Sequence, residues 1–83
     1  MSNSNISYYY HIPCRFRLRS GKEVYGVVWQ GGIGAASHLF ASLREYEKYQ
    51  EAEKDHDLNA CKRLALRVDI DDFVHAESLE VLT

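Results

Sequence analysis

Cys14–Gln30, CRFRLRSGKEVYGVVWQ, is the stretch on which the fold of this 83-residue chain turns. Successive side chains of an extended strand point to opposite faces. Ile12, Cys14, Phe16 and Leu18 then share one face, and Arg15, Arg17 and Arg19 share the other. Ser20-Gly21-Lys22 has the composition of a tight reversal, and Glu23–Trp29 returns as a second strand. Both faces of that second strand are apolar: Val24, Gly26 and Val28 on one, Tyr25, Val27 and Trp29 on the other. A strand of this kind is covered on both sides or curls inside a barrel.

Upstream, Met1–Ser7 is polar and is expected to be loose, with Tyr8–Tyr10 opening the strand region. Pro13 has no backbone donor, which predicts an edge position or a bulge near the start of the first strand. Downstream, Gly31-Gly32-Ile33-Gly34-Ala35-Ala36 reads as a flexible joint. Residues 37–42 read two ways: His38–Ala41 as a short third strand, or a longer helix from Ser37 with Leu39, Phe40, Leu43 and Tyr46 as its apolar stripe. Ser42-Leu43-Arg44-Glu45 has the spacing of a capping box, so a helix is expected from Leu43 to about Lys54. Leu43, Tyr46 and either Tyr49 or Gln50 would face the sheet, leaving Glu47, Lys48, Glu51 and Lys54 in solvent. Asp55–Asn59 is rich in turn formers and ends the helix. Leu64, Leu66, Val68 and Ile70 then alternate with Ala65, Arg67 and Asp69, the pattern of a half-buried strand. Asp71-Asp72-Phe73 turns the chain. Val74–Leu82 supplies either a final strand with Leu79 and Val81 inward or a terminal amphipathic helix.

The expected fold class is mainly β (α+β): a small, strongly bent antiparallel sheet or SH3-like barrel of about five strands with one inserted helix. It forms a single small domain over residues 1–83, loose at 1–7. A chain of this length buries about 60–65% of its unfolded surface, so its core is modest and association would help it. A hydrophobic share of 46% is globular rather than disordered. The longest mostly apolar run, Gly31–Ala41, is too short to cross a bilayer, and the polar N-terminus lacks the features of an export signal. Two distant cysteines predict a reduced pair in a cytoplasmic protein, with Cys14 packed in the core. Charge is uneven: residues 1–44 carry five bases against one acid, and residues 45–83 five bases against eleven acids. The molecule is then electrostatically two-sided unless the fold interleaves the halves.

The spacing Leu18-x-x-Gly21-x4-Gly26-x-Val28 resembles the first sequence motif of Sm-like proteins. In that family one glycine closes the strand turn and a second lets the returning strand bend sharply. The wider order of strands and short turn is similar to small SH3-like barrels, and the resemblance implies a barrel. Gly31-Gly32 follows Gln30 where Sm-like proteins present an acidic residue and then a loop asparagine. Near Val74–Val81 no glycine-containing second motif follows. The ring assembly and uridine pocket of that family are therefore assigned to no residue here.

Interfaces enrich tyrosine, tryptophan and arginine, which makes Arg15, Arg17, Arg19, Tyr25 and Trp29 the partner-binding candidates. Arg15, Arg17, Arg19 and Lys22 are also candidates for nucleic-acid phosphates, with Tyr25 and Trp29 to stack on bases. The net charge of −2 weighs against that second reading, and a row of arginines is also what a solvated strand face looks like. The glycine-rich joint lacks the lysine and hydroxyl of a P-loop and the full dinucleotide fingerprint. His11, His38, His56 and His75 are scattered, with no CxxC, HxxxH or HExxH spacing, so no metal site is expected. Asp69, Asp71 and Asp72 lack the glycine and distant glutamate of a calcium loop. Catalysis needs a nucleophile, a base and an oxyanion donor together, and no such set is legible; neither a catalytic residue nor a cofactor is expected. The expected function is a non-catalytic module that binds another protein or its own copy, with a nucleic-acid-binding small barrel as the alternative.

Overall fold

The computed structural model describes residues 4–31 and 38–79. Within them β1 (Cys14–Leu18), β2 (Glu23–Gln30), β3 (His38–Ser42), β4 (Leu66–Val68) and β5 (Phe73–Ser78) form one antiparallel sheet in the order β4-β3-β2-β1-β5. Two helices, α1 (Leu43–Lys54) and α2 (Leu58–Leu64), connect β3 to β4. The protein is α+β. The sheet is neither closed nor strongly curled, and one inserted helix becomes two.

The hairpin forms, with Cys14 opposite Gly26, Arg15 opposite Tyr25, Phe16 opposite Val24 and Arg17 opposite Glu23; its reversal is Arg19-Ser20-Gly21, one residue ahead of Ser20-Gly21-Lys22, because the Leu18 N–H donates to the Lys22 carbonyl at 2.8 Å. Gly21 takes φ 94° at the reversal, a conformation open chiefly to glycine. Gly26 answers a different need. A β-carbon there would lie 2.2 Å from the Ala41 carbonyl oxygen and 2.5 Å from the Phe40 ring, so the missing side chain is what lets β3 approach β2. Pro13 does not mark an edge, because β1 lies between β2 and β5. It stands just before the ladder, where its carbonyl accepts the Leu79 N–H at 2.9 Å.

Over residues 26–29 both faces of β2 are covered, each by a different layer, and this accounts for its two apolar faces without a barrel. On one face Cys14, Phe16 and Val28 pack with Phe73 and with Ile6. Ile6 comes from a 3-10 turn, Ser4–Tyr9, so the segment expected to be loose plants a core residue. Phe16 and Phe73 meet edge to face with centroids 5.0 Å apart. On the opposite face Val27, Trp29 and Ala41 pack under Tyr46 and Tyr49 of α1, with Leu39 and Ala65 beside them. Each large side chain buried in these layers is worth about 1.5–3 kcal/mol relative to exposure.

Ser42 ends β3 and caps α1, its Oγ accepting the Glu45 N–H at 3.3 Å. The strand reading of 38–42 wins because alternation sends Phe40 to one layer and Ala41 to the other, which a helix cannot do. Asp55–Asn59 is not only a turn: Asp57 caps α2, its carboxylate accepting the Ala60 N–H at 3.1 Å. The strand expected over Leu64–Ile70 shortens accordingly. Leu64 belongs to α2, Ile70 opens a 3-10 turn (Ile70–Asp72), and only Leu66–Val68 pairs with β3. Phe73 is buried at the start of β5 rather than lying in a turn. The last segment is a strand through Ser78, and Leu79 is 37% exposed rather than inward. Val81 and the glycine joint after Gly31 lie outside the described residues.

Candidate functional site

The helices cover only part of their sheet face. Alternation places Arg15 and Arg17 of β1, Glu23 and Tyr25 of β2, and His75 and Glu77 of β5 on the same face as Val27 and Trp29, beyond the helical cover. Register arranges them in two rows across three strands: Tyr25, Arg15, Glu77 and Glu23, Arg17, His75. Arg15 forms an ion pair with Glu77 and lies 4.0 Å from Glu23. The Arg17 guanidinium reaches Glu23 at 3.4 Å. Glu77 first, and Glu23 next, raise the pKa of Arg15 above its ordinary value, so its charge is held more firmly. Tyr25 stands 50% exposed at the end of its row.

Of the five partner-binding candidates, this surface gathers Arg15, Arg17 and Tyr25. Arg19 instead ties the hairpin to the turn before β5. Its guanidinium donates to the Asp71 carbonyl at 2.8 Å, and its backbone N–H donates to the Asp72 carbonyl at 2.8 Å. Trp29 is 4% exposed and belongs to the core. Lys22 is exposed at the hairpin turn. A phosphate chain approaching Arg15 and Arg17 would compete with Glu77 and Glu23, so these arginines are not a bare cationic track. Glu23, His75 and Glu77 went unread in the sequence. Arg17 meets Glu23 only because the reversal falls at Arg19–Gly21, whereas Arg15 and Glu77 depend on the long-range pairing of β1 with β5.

Trp29 anchors a second cluster, whose role is structural. Its ring lies 5.3 Å from Tyr46, 4.9 Å from Tyr49 and 6.0 Å from His11. The His11 imidazole Nδ1 is 3.0 Å from the Tyr46 hydroxyl, and His11 holds φ 66° at the joint between the N-terminal turn and β1. Burial, followed by the charge of Glu53, pushes the Tyr46 and Tyr49 phenols above their ordinary pKa.

Among the described residues, recesses open at the surface in at least two places. One of about 350 Å³ lies by the hairpin turn, lined by Leu18, Arg19, Ser20 and Asp72. Another, of about 260 Å³, lies between the helices and the β3–β4 side of the sheet, lined by Leu39, Tyr49, Cys61, Lys62, Ala65 and Arg67. Cys61 is half-buried and outside any disulfide. Burial raises its pKa, with Glu53 and Asp57 adding to the effect, which keeps it a thiol rather than the nucleophilic thiolate. Among the described residues no three His, Cys, Asp or Glu side chains gather as a metal site, and no helix is long and apolar enough to cross a membrane. Compared with protein-family models, curated proteins and solved structures, the chain matches none.

Proposed function

We propose that this protein is a non-catalytic interaction module that binds a second copy of itself through the uncovered face of β1, β2 and β5. The observation that carries the reading is the half-exposed Tyr25 standing in a flat grid of Arg15, Arg17, Glu23, His75 and Glu77. Tyrosine and arginine supply contact area and directional bonds at interfaces. The grid carries both signs, so a second copy can set its Glu23 and Glu77 against Arg15 and Arg17, as an isologous dimer requires of a self-complementary surface. The grid reaches β5, the outermost strand on that side among the described residues. Ladder alternation turns the backbone of Ala76 away from β1, and the Val74 side chain beside it is 50% exposed.

The strand order and the short 3-10 turn before β5 support an SH3-like reading of the strand connections. Two cysteines outside disulfides support a reduced, cytoplasmic setting. The nucleic-acid alternative loses ground to the Arg15–Glu77 and Arg17–Glu23 pairs.

Backbone amide chemical shifts recorded over a dilution series test the surface. Concentration-dependent shifts are expected at Arg15, Arg17, Tyr25, His75 and Ala76, with Glu47, Lys48 and Lys54 on the solvent side of α1 unchanged. Shifts confined to α1, or none at any concentration, would remove self-association through this face. A different protein of mixed charge would then be its remaining kind of partner.

A further inference from the structure

We propose that the cleft between α1, α2 and strands β3 and β4 binds a small apolar carboxylate, its charge on Lys62 and Arg67 and its body against Leu39, Tyr49 and Ala65. Leu39, Tyr49 and Ala65 are half-buried and border the Val27, Trp29 and Ala41 cluster, so the cleft is the open end of that core layer. Lys62 and Arg67 line the same opening and are exposed. Unlike Arg15 and Arg17, neither forms an ion pair among the described residues. An apolar floor bordered by two uncommitted cations selects an amphipathic anion, and the planar guanidinium of Arg67 suits the two oxygens of a carboxylate.

The size restricts the ligand further. About 260 Å³ falls just below the usual range of roughly 300–1,000 Å³ for small-molecule sites, which fits one ring or a short branched chain with an acid arm. Asp57 and Glu53 are the acids that act on Cys61. Asp57, whose carboxylate also caps α2, and Glu53 both oppose a bound anion, so the two cations have to outweigh them. Cys61, kept as a neutral thiol, adds no competing negative charge to the lining. Binding is noncovalent and reversible.

The protein supplies two reporters. Cys14 is fully buried, so alkylation by iodoacetamide reads Cys61; the single tryptophan, Trp29, lies behind the Tyr49 ring at 4.9 Å and reads the cleft by fluorescence. Phenylacetate is titrated beside phenylacetamide, which has the same ring without the charge, and acetate, which has the charge without the ring. Phenylacetate is expected to slow Cys61 alkylation several-fold and to shift Trp29 emission, saturating with a Kd of roughly millimolar or tighter. Both analogues should bind about tenfold more weakly or not at all. Lys62→Gln combined with Arg67→Gln, both at exposed positions, should erase the preference for phenylacetate while leaving the far-ultraviolet dichroism unchanged. Glu53→Gln should tighten binding. Equal protection by phenylacetamide, protection that survives in the double variant, or no response to phenylacetate at about 10 mM would each overturn the proposal.

Discussion

Arg15 and Glu77, 62 positions apart in the chain, stand directly opposite each other on β1 and β5 and close an ion pair. That pairing lays the acidic C-terminal half of the chain against the basic hairpin, as does the bond from Arg19 to the Asp71 carbonyl. The two halves are interleaved along β1 and β5, so the uncovered sheet face carries alternating signs instead of a positive stripe.

One consequence concerns polyanions. Single-stranded RNA is expected to bind the protein weakly at physiological salt, because a phosphate must displace Glu77 and Glu23 to reach Arg15 and Arg17. Glu23→Gln with Glu77→Gln frees both arginines and should strengthen binding, with a steeper loss as salt rises. Fluorescence anisotropy across a salt series checks this. Submicromolar binding by the unaltered protein, abolished by changing Arg15, Arg17 and Arg19 to glutamine, would favour the nucleic-acid reading.

Gly26→Ala should destabilise the fold by about 2–3 kcal/mol or more, since the added methyl meets the Ala41 carbonyl and the Phe40 ring and forces β2 and β3 apart. Urea unfolding measures the change. A loss under about 0.5 kcal/mol, the range of ordinary surface substitutions, would mean that β3 does not approach as described.

The two helix caps give separable losses. Ser42→Ala removes the acceptor of the Glu45 N–H, and Asp57→Ala removes that of the Ala60 N–H. Each should cost about 1 kcal/mol, seen as a lower urea midpoint at unchanged slope. If Asp57→Ala changes nothing, α2 is not begun by that side chain.

Alkaline pH should weaken the protein before other chemistry intervenes. Tyr46 and Tyr49 are both held above the ordinary tyrosine value of 10.0 by burial, with Glu53 adding to it. The unfolded chain therefore releases these protons first. Their contribution to stability is intact below pH 10 and is lost as pH rises through the folded values. Phenolate absorbance should show two of the tyrosines titrating late, and Glu53→Gln should bring them earlier. Titration of all six at the ordinary value would contradict the buried stack on Trp29.

What the sequence revealed follows the range of the forces involved. The two strands of the β1–β2 hairpin were legible because their alternation is local, while their register was not, since a shift of the reversal by one residue, to Arg19–Gly21, decides it. α1 was legible because Ser42 and Glu45 carry their own cap. α2 was hidden, since Asp57 is followed by no glutamate at the capping-box position and Leu58 to Leu64 is too short to show a helical stripe. The lengths of β4 and β5 were hidden for another reason: β4 begins only once α2 has ended at Leu64 and pairs with His38–Phe40 alone, and β5 stops at Ser78, opposite the first residue of β1. Trp29 shows the same limit at the site. Alternation placed it with Tyr25 on one face, and only the docking of α1 decides that Trp29 is covered while Tyr25 is left in the open.

Sedimentation velocity from low to high micromolar concentration tests the interaction reading most directly. A shift from monomer to dimer is expected as concentration rises, reversed by high salt and by Tyr25→Ser, since both the charge grid and the aromatic contribute to the contact. A protein that stays strictly monomeric over the whole range, at low salt and with Tyr25 in place, would contradict it.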